Sequence, residues 1–149
     1  MKKQYRGHPK YIYLAGIIDG EGCLTMYKED TGSYGRGFQY HPLLRVSNTY
    51  RGLLEKLKKD FKMGFITWTT NRNGNRKDVG NWSLNSNGLR ELIPLIKPYI
   101  FVKKKQLLCL EKALSLISSK QTAIQHKESY NKLDKIYLEL RKLNKIGKS

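Results

Sequence analysis

The spacing of apolar residues divides the chain into helical and extended stretches. From Tyr11 to Ile18 nearly every position is apolar, which predicts a helix over about Lys10 to Asp19 that is covered on most of its circumference by more than one neighbour. Pro9 suits its first turn, and Gly20 and Gly22 are expected to end it. Leu24 and Met26, with Lys28 next in the series, then alternate with Cys23, Thr25, Tyr27 and Glu29, the period of a half-buried strand. A second alternating run, about Gln39 to Asn48, puts Leu44 and Val46 on one face and Gln39, His41, Leu43, Arg45 and Ser47 on the other. The Gly-rich segment Asp30 to Phe38, carrying Tyr34 and Arg36, joins the two strands as a hairpin loop.

The same order then repeats. Leu53, Leu54, Leu57 and Phe61 recur at helical spacing and predict a helix over Arg51 to Lys62, capped at its end by Gly64. Strands near Phe65 to Thr70 and Val79 to Leu84 turn Ile66, Trp68, Trp82 and Leu84 inward, and Phe65, Thr67, Thr69, Asn81 and Ser83 outward. Asn85 or Ser86 caps a helix that Pro98 stops, a further helix spans Lys103 to Ser118, and a last one carries Tyr130, Leu133, Ile136, Tyr137, Leu140 and Leu143 on one face. Helix, two strands, helix, two strands, helices is an α+β plan, with helices on one face of an antiparallel sheet. Its 149 residues form one domain, 1–149.

Charge changes the picture. With 29 Lys and Arg against 12 Asp and Glu, the net charge is +17, so a polyanionic partner is expected. No apolar run approaches the ~18 residues of a membrane span. Two cysteines, Cys23 and Cys109, are too few for a zinc cluster or disulfide framework and fit a reducing, intracellular compartment.

The uncovered sheet face carries Thr25, Tyr27, Glu29, Gln39, His41, Arg45, Ser47, Thr67, Thr69, Asn81 and Ser83, hydrogen-bonding side chains at period two. An ordinary solvated face explains any one of them; together with the charge they favour the major groove of double-stranded DNA. The loop residues Tyr34, Arg36, Asn71, Arg72, Asn75, Arg76 and Lys77 are placed to meet phosphates.

At the end of the first helix stand Asp19 and Glu21, where helix carbonyls are already negative, so a cation is expected there; two solvated acids beside a Gly cap are the plainer alternative. Gly16 and Gly20, four apart, leave one helix face without bulk and open to close approach by another backbone.

The string Leu14-Ala15-Gly16-Ile17-Ile18-Asp19-Gly20-Glu21-Gly22 resembles the signature of the LAGLIDADG homing endonucleases. It matches at Leu14, Ala15, Gly16, Ile18, Asp19 and Gly22; Ile17 and Glu21 are conservative departures and Gly20 is a common variant. The resemblance implies the αββαββα fold, its sheet a DNA-binding saddle, and Mg²⁺-dependent, site-specific double-strand cleavage in intron homing. One motif, where the family's monomeric members carry two, implies a homodimer on a pseudo-palindromic target, joined along the Gly16/Gly20 face with Leu14, Ala15, Gly16 and Ile18 at the interface. Glu21 and the Gly20 carbonyl are then the metal ligands, with Asp19 either a further ligand or a support for the helix interface. Lys103, or its neighbours Lys104 and Lys105, matches the family's lysine near the reacting phosphate. Asn48 and Arg51 match its polar and basic residues near the water network. An RNA-splicing maturase and a non-cleaving DNA-binding regulator are the alternatives.

Overall fold

Helix α1, Pro9–Glu21, begins where proline sets the first turn and where the His8 ring nitrogen accepts the Lys10 amide at 3.2 Å. It runs two residues beyond the expected end, with Gly20 inside it. It stops at Gly22, which is extended and sends its N–H back to the Ile17 and Ile18 carbonyls. A Cβ at Gly22 would lie 2.7 Å from the Ile18 Cα, so a side chain there would collide with the backbone of the turn it has just left. Glycine is what lets the chain pass from helix to strand without a loop.

The computed structural model describes residues 8–30, 38–69, 78–117 and 127–146; the expectations for Tyr34, Arg36, Asn71, Arg72, Asn75, Arg76 and Lys77 lie outside the described residues. Strands β1, Gly22–Asp30, and β2, Phe38–Asn48, pair antiparallel from Gly22 opposite Val46 to Asp30 opposite Phe38. Strand β4, Val79–Leu84, joins β2 over Leu44 to Asn48, and β3, Phe65–Thr69, pairs with β4. The sheet order is β1-β2-β4-β3. The outer half of the β1–β2 hairpin therefore projects beyond the third strand.

Helices α2, Arg51–Phe61, α3, Ser86–Ile96, α4, Lys104–Leu116, and α5, Lys127–Ile146, join α1 over the inner face, with a 3₁₀ turn, Lys97–Tyr99, leading into α4. Leu24, Met26, Tyr40, Leu44, Val46, Trp82 and Leu84 point into that core, as the alternation requires. The helices meet them with Leu54, Leu57, Leu89, Leu92, Ile96, Leu107, Leu110, Leu133 and Leu140, all fully buried, each worth about 1.5–3 kcal/mol of transfer free energy. The sheet is α+β with helices on one face, as expected. The left-handed position after α2 falls to Lys62, at φ 52°, and Gly64, at φ 87°, then passes the Trp82 indole, whose N–H donates to Met63 O at 3.0 Å. The expectation of a Gly64 cap was thus two residues late.

Three of the residues expected at a dimer contact are corrected. Leu14, Ala15 and Ile18 are fully buried, packed in the core of their own chain, and cannot present side chains to a second one. The open face of α1 is Ile12, Tyr13, Gly16 and Gly20, and a Cβ built on either glycine meets nothing within 4 Å.

Candidate functional site

Everything at the candidate site converges on the last turn of α1. Asp19 turns toward the segment that enters α4, where its two oxygens accept the Phe101 amide at 2.9 Å and the Lys103 amide at 3.1 Å. Of the two roles left open for Asp19, metal ligand or support, these bonds favour support, since both oxygens are engaged by backbone N–H groups. The carboxylate splices the end of α1 to the start of α4.

That splice places Lys103. Its ammonium donates to Ile18 O at 2.8 Å and to Gly22 O, meeting the negative end of the helix dipole. Burial lowers the Lys103 pKa from the ordinary lysine value, with Cys23 and Asp19 pulling the other way. Lys104 is directed elsewhere, to Lys97 O at 2.5 Å, and Lys105 is exposed. Of the three lysines, Lys103 is the one at the motif turn.

Glu21, two residues on from Asp19 and exposed, receives the Asn48 amide on Oε2 at 2.8 Å. Asn48 in turn accepts the Tyr50 N–H at 2.7 Å, which fixes which end of its amide faces Glu21. Glu21 at the helix end and Asn48 at the strand end are thus brought together. Arg51 is not part of that pair: its guanidinium stacks 4.4 Å above the Trp68 ring.

The oxygen donors at this turn, an exposed carboxylate and the carbonyl of Gly20 past the last intrahelical bond, suit a hard divalent cation. Among the described residues no group of three or more His, Cys, Asp or Glu side chains gathers there.

Sequence reasoning missed a neighbouring cavity of about 480 Å³, lined by Gly22, Cys23, Thr25, Lys103, Gln106, Arg141, Asn144 and Lys145. It opens beside the motif turn and is strongly cationic. The signal was present in Arg141 and Lys145, four apart on the last helix.

On the outer sheet face Tyr27, Arg45, Ser47, Thr67 and Thr69 are exposed, while Thr25, Gln39 and Asn81 are half-buried. Tyr27 stacks on His41 at 4.6 Å, and the His41 Nε2 lies 2.7 Å from Glu29 Oε2. Ser47 donates to Asn81 across the β2–β4 pair. These side chains hold one another in place. Ser83 is a correction: only 3% exposed, it is shut beneath its neighbours and offers nothing to a ligand.

Comparison with known proteins gives a consistent result. A family model described as LAGLIDADG endonuclease matches residues 14–114. In fold, the chain is similar to the homing endonuclease I-CvuI in complex with a DNA target (17% identity, TM-score 0.75, 91% of this chain and 82% of that chain). It is also similar to the archaeal intron-encoded homing endonuclease I-Vdi141I complexed with DNA (22%, 0.75, 90% and 83%) and to the meganuclease I-SmaMI bound to DNA (20%, 0.72, 87% and 44%). No curated relative matches the sequence.

Proposed function

Because the chain belongs to the LAGLIDADG endonuclease family, we propose that it is a Mg²⁺-dependent, site-specific endonuclease that cuts both strands of a long, pseudo-palindromic DNA target, as a homodimer, in the homing of an intron that encodes it. The observation that carries this reading is Glu21, exposed at the end of α1 and oriented by Asn48, on the same helix end whose Ile18 carbonyl holds the Lys103 ammonium.

Hydrolysis of a phosphodiester needs an attacking water, compensation for the charge that grows on phosphorus, and help for the departing oxygen. A bound divalent cation supplies charge neutralisation and a more acidic water. The I-CvuI–DNA complexes were obtained in the presence of Mg, with the DNA not cleaved, and of Ca, which is consistent with the use of a divalent cation. Glu21 and the Gly20 carbonyl are the groups that would hold it. Asn48, by donating to one Glu21 oxygen, fixes the carboxylate plane and leaves the other oxygen forward. Lys103 keeps an ammonium within reach of the same turn, where it steadies phosphate charge, and Asp19 fixes the backbone from which that ammonium extends. The outer face, from Tyr27 and Gln39 to Thr67 and Asn81, meets base edges, and the cations of the hairpin loops meet phosphates.

The uncovered face of α1 supports the homodimer. Ile12 and Tyr13 are about half exposed beside two open glycines, and Phe101 and Val102, tied to the same helix end by Asp19, are 86% and 67% exposed. Contiguous apolar exposure of this kind marks a contact surface. A second copy seated there brings two Glu21 carboxylates together, one for each strand.

The test is to incubate the protein with a library of plasmid-borne targets, with and without Mg²⁺, and sequence the ends. Cutting at one family of sites, only with the cation, is expected. Binding without cutting would identify a regulator, and intron splicing without DNA cleavage would identify a maturase; either would overturn the proposal.

A further inference from the structure

The β1–β2 hairpin outlasts the rest of the sheet. Its partner β4 stops at Leu44, so among the described residues 38–43 of β2 have no strand on their far side. This is the half that carries Tyr27, Glu29, Gln39 and His41 outward. An isolated two-stranded ribbon is only marginally stable and twists more freely than a sheet. What lies under it is α5.

The contact is a built one. Lys28 and Tyr40 face each other across the strand pair, both pointing inward. Both reach the same oxygen of Asp134 on α5, Lys28 Nζ at 3.0 Å and the Tyr40 hydroxyl at 2.7 Å. The ammonium also sits 4.2 Å from the centre of the Phe38 ring, with the Tyr40 and Tyr137 rings at 5.6 and 5.9 Å. Tyr40 lies between Tyr130 and Tyr137 of α5, edge-on to the first ring and tilted to the second. Further down, the Asn144 amide donates to Leu24 O at 3.1 Å, so α5 grips β1 at two levels. A lysine turned into a core and boxed by three rings and a carboxylate is more than solvation of a sheet face requires.

From this we infer that α5, through Asp134, sets the angle at which the outer β1–β2 hairpin meets a ligand and so determines how sharply the protein discriminates base pairs far from the cleavage centre. The inference rests on the DNA-cleaving function proposed above. Distance makes the effect local. Strands advance about 3.3 Å per residue, so Tyr27 to Glu29 lie roughly 16–23 Å from Gly22. At 3.4 Å per base pair that is about five to seven pairs out from the motif turn. A small change in hairpin angle displaces these side chains most and the Glu21 turn least. Asp134, Tyr40 and Lys28 touch no DNA in this arrangement; they act through the hairpin, as positioning residues.

The experiment compares wild type with Tyr40→Phe and Asp134→Ala on a target library randomised one position at a time, alongside thermal unfolding of each protein. Wild type is expected to reject a wrong outer base pair by roughly tenfold or more. Both variants should lower that ratio to about threefold or less at the outer positions, keep the wild-type ratio at the central ones, and cut the best target within about twofold of the wild-type rate. Lowered thermal stability with unchanged selectivity at every position would reduce Asp134 to a purely structural residue and overturn the inference. Equal loss at inner and outer positions would do so too. A wild-type protein that selects no sequence at all overturns the proposed function itself, an outcome distinct from a selective wild type with equally selective variants. Should Asp134→Ala not fold, Tyr40→Phe, which loses one hydroxyl, still decides the matter.

Discussion

Replacing Asp19 by Ala separates an anchor from a metal ligand. The substitution leaves the Phe101 and Lys103 amides without their acceptor. Hydrogen bonds to a charged group contribute about 1.5–3 kcal/mol each, and the Phe101 bond is exposed to solvent, which places the pair near 3 kcal/mol. At 149 residues that corresponds to a fall in Tm of roughly 6–12 °C. Asp19→Asn, which keeps one acceptor oxygen, should lose about half as much. Thermal and urea unfolding give the stability, and the Mg²⁺ concentration dependence of cleavage gives the metal requirement. The expected pattern is a large stability loss, slower cleavage because the Lys103 backbone has come loose, and an unchanged Mg²⁺ midpoint. An Asp19→Ala protein as stable as wild type that needs far more Mg²⁺ would refute the anchor reading and return Asp19 to the metal.

Three further outcomes follow from the geometry. Gly16→Ala should stabilise the isolated chain by about 0.5–1 kcal/mol, because the helix gains and nothing lies near the new methyl, yet weaken self-association, read by urea unfolding at low concentration and by sedimentation velocity; unchanged association would remove Gly16 from the contact. Because burial holds the Lys103 pKa below the unfolded value, the unfolded chain binds the extra proton, so the stability of wild type relative to Lys103→Met should rise with pH from the lowered value toward about 10.4; a difference flat across that window in urea titrations would contradict the assignment. DNA affinity should fall linearly on a log–log plot against salt, since each neutralised phosphate releases counterions, and an affinity indifferent to salt would exclude backbone contact as a main contributor.

The alternation of Leu24 with Tyr27, and of Leu44 with Arg45, assigned both faces of the sheet correctly because period two leaves a strand no freedom in which way its side chains point. The same logic is weaker on a helix that is apolar all round. Leu14, Ala15 and Ile18 looked like partners for another chain because the sequence of α1 does not say which neighbour is internal, and packing beneath β2 and α3 took them. The roles of Asp19 and Glu21 diverge for a related reason: two residues along a helix is a rotation of about 200°, so one faces the α4 entrance and the other the rim of the sheet. Ser83 follows the strand period and is nonetheless shut in, since accessibility depends on neighbours across the ladder. The Lys28, Tyr40 and Asp134 cluster joins residues more than ninety positions apart, which no local pattern encodes.

The most direct test of the central claim is Glu21→Gln, assayed for cleavage and for binding on the same target. The substitution keeps shape and a hydrogen-bond acceptor for Asn48 while removing the charge a divalent cation needs. Cleavage should be lost by a factor of about 10³ or more while affinity stays within about threefold of wild type, a split that assigns the residue to the chemical step. Cleavage at the wild-type rate by the Gln variant would contradict the claim.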